Sequence, residues 1–202
     1  MRYRVFAALV LPRENQERLG EVLASLQAAT PPGTVRWVRP DAVHLTLKFY
    51  GDVPEADLPA LEAGLAEAAS SGRPMRLSMV GLGVFPNPRR PQVIWAGLAG
   101  ELEVLQALQS AVEAHATALG FAPEGRAYQP HLTLGRVRGA LAPADHMRLL
   151  DQLKARAADW FGDFEAAALS LVRSDLRPAG SIYTTLYAAP LGSARVPSEE
   201  QC

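Results

Sequence analysis

Cysteine is almost absent: the one thiol among 202 residues is Cys202, at the C-terminus. No internal disulfide framework and no cysteine-built metal site can form within the chain, a usage that fits a reducing cytoplasm. Long apolar runs are also missing. The run at 5–11 follows Arg2 and Arg4 and stops at Pro12-Arg13-Glu14-Asn15. It is too short to cross a bilayer and lacks the small-residue cleavage pattern of a secretory leader, so it reads as a first buried strand. Nor is there an excess of one charge. Twenty basic residues face 21 acidic ones, for a net charge of −1, so no whole-molecule field draws in long duplex nucleic acid. A local arginine cluster for a small anion stays open. The glycines Gly81 and Gly83 match neither a dinucleotide fingerprint nor a P-loop. Histidine is scarce, with four in all, and no His-x-His or HExxH pattern supports a metallohydrolase.

Two of the four histidines sit in identical tetrapeptides. His44-Leu45-Thr46-Leu47 and His131-Leu132-Thr133-Leu134 lie 131 − 44 = 87 residues apart. Each alternates as a half-buried strand does, so the leucines share the core face and His and Thr share the other. A single His-x-Thr on a strand is most simply structural. The exact repeat argues for more: two such strands side by side would put two imidazoles and two hydroxyls around one cleft, enough for paired acid and base chemistry.

The rest of the chain has ordinary globular composition, 49% hydrophobic and 20% charged, sized for one domain or two closely packed lobes. Period-two and period-3.6 patterns predict strands at 3–10, 35–38, 43–50, 75–80, 92–98, 131–137, 164–172 and 182–188, and helices at 13–28, 55–69, 101–119 and 143–157. A further short strand candidate at 126–128 leads into Pro130, so that each tetrapeptide strand follows a short strand and precedes a helix. Gly180 is the expected turn between the last two strands. His115 is expected at the surface or core edge and His146 facing solvent. Residues 1–192 read as a single bilobal domain and 193–202 as a polar, disordered tail.

Several stretches together resemble the RNA 2′,3′-cyclic phosphodiesterase (2′-5′ RNA ligase) branch of the 2H phosphoesterase superfamily. They are Arg4-Val5-Phe6-Ala7-Ala8, Trp37-Val38, His44 through Gly51, Phe85 through Pro91 with Trp95, Tyr128 through Arg138, and Ser174 through Gly180 with Tyr183. The resemblance spans nearly the whole chain, from about residue 4 to 186. It implies an α+β, bilobal fold of pseudo-twofold symmetry, in which two antiparallel sheets face a central cleft with helices outside. It also implies metal-independent, cofactor-free hydrolysis of RNA 2′,3′-cyclic phosphate ends to 2′-phosphomonoesters, with 2′-5′ ligation as a reverse activity.

That resemblance assigns His44 as general acid and His131 as general base, roles the sequence alone leaves interchangeable. Thr46, Thr133 and Arg136 are the expected phosphate ligands, although Arg136 falls on the wrong strand parity unless the strand twists or bulges. Phe49 holds the matching position in the first motif and could stack on a base or pack in the core. Tyr128, Arg126, Arg89 and Arg90 are weaker candidates for an RNA path. A role for Lys48 on that path is also open, although an exposed lysine needs no explanation. The expected partner is an RNA with a cyclic phosphate end, bound by a monomer away from membranes. Other readings stay open: a small cyclic nucleotide, ADP-ribose cyclic phosphate or 2′-5′ oligoadenylate as substrate, or an RNA-end-binding module without turnover.

Overall fold

The computed structural model describes residues 1–177 and 180–192. The proposed tail at 193–202, with Cys202, and the Pro178-Ala179 step of the last predicted turn lie outside the described residues. The described residues form nine strands: β1 (Arg2–Val10), β2 (Val35–Trp37), β3 (His44–Pro54), β4 (Met75–Phe85), β5 (Val93–Gly100), β6 (Leu132–Val137), β7 (Trp160–Ala166), β8 (Ala168–Arg177) and β9 (Gly180–Pro190). Four α-helices accompany them there: α1 (Arg13–Ala29), α2 (Leu58–Ser71), α3 (Leu102–Ala118) and α4 (Pro143–Ala155). No helix among the described residues is long and apolar enough to cross a membrane.

The strands run antiparallel in the order β7-β4-β5-β6-β3-β1-β8-β9, with β2 added beside β6. The two expected sheets are the two halves of this path. One half is β7-β4-β5-β6 and the other β3-β1-β8-β9. Only one residue pair, Leu45 with Leu132, joins them in register. That pair comes from the two tetrapeptides, so the repeated motifs form the seam of the molecule.

Helices α1 and α4 lie together against β7 and β4, while α2 and α3 pack on each other and on β8, β9 and β3. The helical stripes explain this. Leu19, Leu23 and Leu26 of α1 and Leu105, Leu108 and Val112 of α3 are essentially solvent-free in one continuous core. The opposite face of β1 carries a second, smaller cluster of Phe6, Ala8 and Val172, against which Tyr183 packs. Strand β1 is therefore apolar on both faces, as expected of a strand deep in a sheet.

Two strand expectations change, as does the exposure expected of His146. The strand predicted over 164–172 is two strands, β7 and β8, broken at Ala167 with no glycine or proline to announce it. Residues 126–128 are irregular rather than a strand. The short strand before the first motif, β2, pairs with the second motif's strand β6. His146 is half-buried, with Nε2 2.7 Å from the Pro88 carbonyl. His115 lies at the core edge, 3.5 Å from Glu67.

Candidate active site

The two tetrapeptides are built alike well past their sequence identity. The leucines Leu45, Leu47, Leu132 and Leu134 are all buried, and the histidines and threonines are half-exposed on the other face. His44 Nδ1 lies 2.8 Å from the Ala42 carbonyl, and His131 Nδ1 lies 2.8 Å from the Gln129 carbonyl. In both cases the partner is two residues back. A carbonyl can only accept, so each neutral ring carries its proton on Nδ1 and presents a free Nε2 lone pair. The same atom donates once the ring is protonated. Each imidazole is therefore held in the tautomer that serves as a base when neutral and an acid when charged.

Each strand also bulges at the same place. On β3 the register with β1 passes from Thr46 (opposite Ala8) to Lys48 (opposite Ala7), skipping Leu47. On β6 the register with β5 passes from Thr133 (opposite Trp95) to Gly135 (opposite Ile94), skipping Leu134. The extra residue reverses side-chain parity downstream. Arg136 is thereby returned to the face of His131 and Thr133, which resolves the parity objection.

The same bulge corrects the reading of Lys48. It is 5% exposed rather than solvent-facing, because it points with Leu47 toward α3. Its ammonium donates to Glu113 Oε1 at 2.8 Å and to the Ala122 carbonyl at 2.8 Å. Glu113 Oε1 also accepts from the Glu124 backbone N–H at 2.7 Å. Tyr50 packs edge-on to Phe121, and the Tyr128 hydroxyl donates to the Thr46 carbonyl at 3.2 Å. The irregular segment 121–130 that delivers His131 is thus fastened to β3, the strand that carries His44.

His44 lies in an aromatic recess, stacked on Phe6 at 4.5 Å between ring centroids and edge-on to Tyr183 at 4.9 Å. Burial holds its pKa below the usual 6.5; the Ala42 hydrogen bond opposes this shift and the nearby His131 charge adds to it. The Leu45–Leu132 pair sets the two histidines on adjoining strands, which is why the charge on one bears on the other. His131 meets Phe85 edge-on at 5.0 Å.

A cavity of about 250 Å³ opens at His44 and is lined by Thr46, Thr133 and Arg136 together with Tyr183. His131 stands beside it rather than in its wall. Arg36, Arg39 and Arg177 also line the cavity. None of these three was given a role from sequence: Arg36 and Arg39 carry no local pattern, Arg177 enters only within the Ser174–Gly180 stretch of the resemblance, and the fold alone brings them together. The remaining candidates lie outside the lining. Phe49 is 44% exposed with the Arg4 guanidinium 4.5 Å above its ring. Arg89 and Arg90 are exposed in the β4–β5 turn, where their backbone N–H groups bond to Asn87. Arg126 is exposed in the segment before His131, and Tyr128 is half-buried with its hydroxyl occupied as above. Among the described residues no three His, Cys, Asp or Glu side chains gather as a metal site.

The architecture and its relatives agree. A family model described as LigT-like phosphoesterase matches the chain twice, over 9–95 and 98–183. A protein of Methanothermobacter thermautotrophicus named RNA 2′,3′-cyclic phosphodiesterase is 35% identical over 92% of this chain and 97% of its own length. A Thermus thermophilus crystal structure superposes with a TM-score of 0.72 at 28% identity, covering 94% of this chain and 98% of the other. Escherichia coli LigT, crystallised with 3′-AMP, shares the fold with a TM-score of 0.74 at 22% identity, over 96% of this chain and all of its own. Two successive matches to one model, each holding one His-Leu-Thr-Leu strand, account for the repeat seen at the outset: the chain belongs to the LigT-like phosphoesterase family.

Proposed function

We propose that this protein hydrolyses RNA ends bearing a 2′,3′-cyclic phosphate to 2′-phosphomonoesters. The observation that carries the reading is the matched pair of imidazoles. Both are fixed through Nδ1, both offer Nε2, and they sit on adjoining strands beside a cavity lined by two threonines and arginine. The name borne by relatives of matching length supports the substrate.

In the proposed step, His131 Nε2 takes a proton from water as the water oxygen bonds to phosphorus. The bond from phosphorus to O3′ breaks, and protonated His44 delivers its Nε2 proton to that oxygen. The 2′-phosphate remains, and the rings have exchanged protonation states, to be reset by solvent. Thr46 and Thr133 donate to the non-bridging oxygens, and Arg136 balances their charge through its planar fork. Burial disfavours the proton on His44, so the anionic phosphate must supply the charge that holds it there. With a 5′-hydroxyl in place of water, the same steps form a 2′-5′ linkage. The partner is RNA, and the setting proposed is a cytoplasmic monomer.

The test is hydrolysis in EDTA of a short RNA with a cyclic phosphate end, with phosphorus NMR of the product. Wild type is expected to give a 2′-phosphate, with His44→Ala and His131→Ala each slower by at least about a hundredfold. No turnover by wild type, or full activity of either variant, would sink the proposal.

A further inference from the structure

The cavity carries more positive charge than a cyclic phosphate needs. Four arginines line it, and no aspartate or glutamate does so among the described residues. Arg39 is already paired with Asp41 through two bonds, of 3.0 and 2.8 Å. Arg36, Arg136 and Arg177 have no ion-pair or side-chain hydrogen-bond partner among the described residues. A cyclic phosphodiester brings one negative charge, and Arg136 can meet it.

The placement of Arg36 is the more telling fact. It stands directly opposite Arg136 across the β2–β6 pair. Like charges directly opposite on a sheet repel and destabilise it. The strand that imposes this contact is only three residues long, yet it is firmly tied. Val38 N–H donates to the Leu134 carbonyl at 2.8 Å and Arg138 N–H to the Thr34 carbonyl at 2.7 Å, on either side of the arginine pair. Val35 next to Arg36 is buried in the core. The frame therefore fixes Arg36 one strand spacing, about 4.8 Å, outward from Arg136. An anion between or beyond the two would turn the repulsion into a bridge.

Building on the phosphodiesterase reading, we propose that Arg36 and Arg136, with Arg177 at the rim, form a second phosphate subsite. It takes the ordinary phosphodiester that joins the terminal nucleotide to the rest of the strand. The enzyme is then selective for oligonucleotides over cyclic mononucleotides, and Arg36 is the specificity-determining residue. In sequence order the subsite follows from β2 pairing with the second motif's strand instead of the first.

The experiment compares kcat/KM for uridine 2′,3′-cyclic phosphate with that for the dinucleotide adenylyl-uridine 2′,3′-cyclic phosphate, in wild type and Arg36→Ala. Wild type is expected to favour the dinucleotide by about tenfold or more, the scale of one charge-assisted phosphate contact. In Arg36→Ala this preference is expected to collapse toward unity. The logarithmic salt dependence measured on the dinucleotide should weaken by about 0.7, the value for one phosphate contact on a single strand. Because the substitution removes a like-charge pair from an exposed strand position, its melting temperature without ligand should not fall. Arg36→Lys, which keeps the charge without the fork, is expected to retain part of the preference and serves if the alanine variant folds poorly. Equal rates on the two substrates in wild type, or an equal loss on both in Arg36→Ala, would overturn the subsite while leaving the phosphodiesterase reading intact. No turnover of either substrate by wild type would sink that reading and the subsite with it.

Discussion

The halves around His44 and His131 are the same device with different furniture. In both, Nδ1 is tied to the carbonyl two residues back, a threonine follows at the same offset, and a bulge comes immediately after. The offset of 87 residues extends beyond the motif. Ala8 pairs with Thr46 as Trp95 pairs with Thr133, and 95 − 8 = 87. Phe6 pairs with Phe49 as Val93 pairs with Arg136, and 93 − 6 = 87. The occupants of these matched positions differ. Phe6 stands against Val93, Phe49 against Arg136, and Lys48 against Gly135. One half sets aromatic rings against its histidine, and this burial disfavours the proton on His44. The other carries the guanidinium. The repeated frame supplies two equivalent nitrogens, and the unlike neighbours make them inequivalent, as acid and base must be.

Substitutions at the matched positions test this contrast. Lys48 should give the largest effect. Lys48→Met leaves the Glu113 carboxylate and the Ala122 carbonyl without their buried partner, which should cost about 3–5 kcal/mol by denaturant titration. Loss of catalysis should accompany it, because the segment that delivers His131 loses its tie to β3. Arg136→Phe, which makes the second half resemble the first, should leave stability nearly unchanged and lower kcat/KM on a cyclic phosphate end by about a hundredfold. Gly135→Ala is smaller still. Its methyl would meet Val35 Cγ1 at 2.8 Å and Trp37 Cε3 at 3.0 Å, so a loss of about 1–2 kcal/mol is expected as β2 shifts. Phe6→Val, copying Val93, is read through protonation, beside the stability loss expected of truncating a buried ring. With the stacked ring gone, His44 is less desolvated, and its pKa should rise toward 6.5 in an NMR titration. An unchanged or lower value would mean that burial against Phe6 is not what depresses it.

The elements that hold the chemistry were legible because they repeat and alternate. The leucines of both tetrapeptides are buried and the histidines share a face, as period two requires. What stayed hidden depends on departures from that period. Gly135 is the one residue that hints at the bulge at Leu134, and nothing marks the one at Leu47, yet together they bury Lys48 and bring Arg136 to the face of His131 and Thr133. The division of β7 from β8 falls in a run of three alanines, Ala166 to Ala168, that reads equally well as continuous strand. Arg36 was invisible for a different reason. Its significance lies wholly in which strand β2 joins, a long-range pairing that no local pattern encodes.

The most direct test of the central claim is nitrogen-15 NMR of the two imidazoles across pH, with and without inorganic phosphate. Both neutral rings are expected as the Nδ1–H tautomer. His44 should titrate below 6.5 in the free protein and move upward when phosphate binds, since the anion favours the charged ring. A neutral ring protonated at Nε2, or a His44 that titrates above 6.5 without phosphate, would contradict the account.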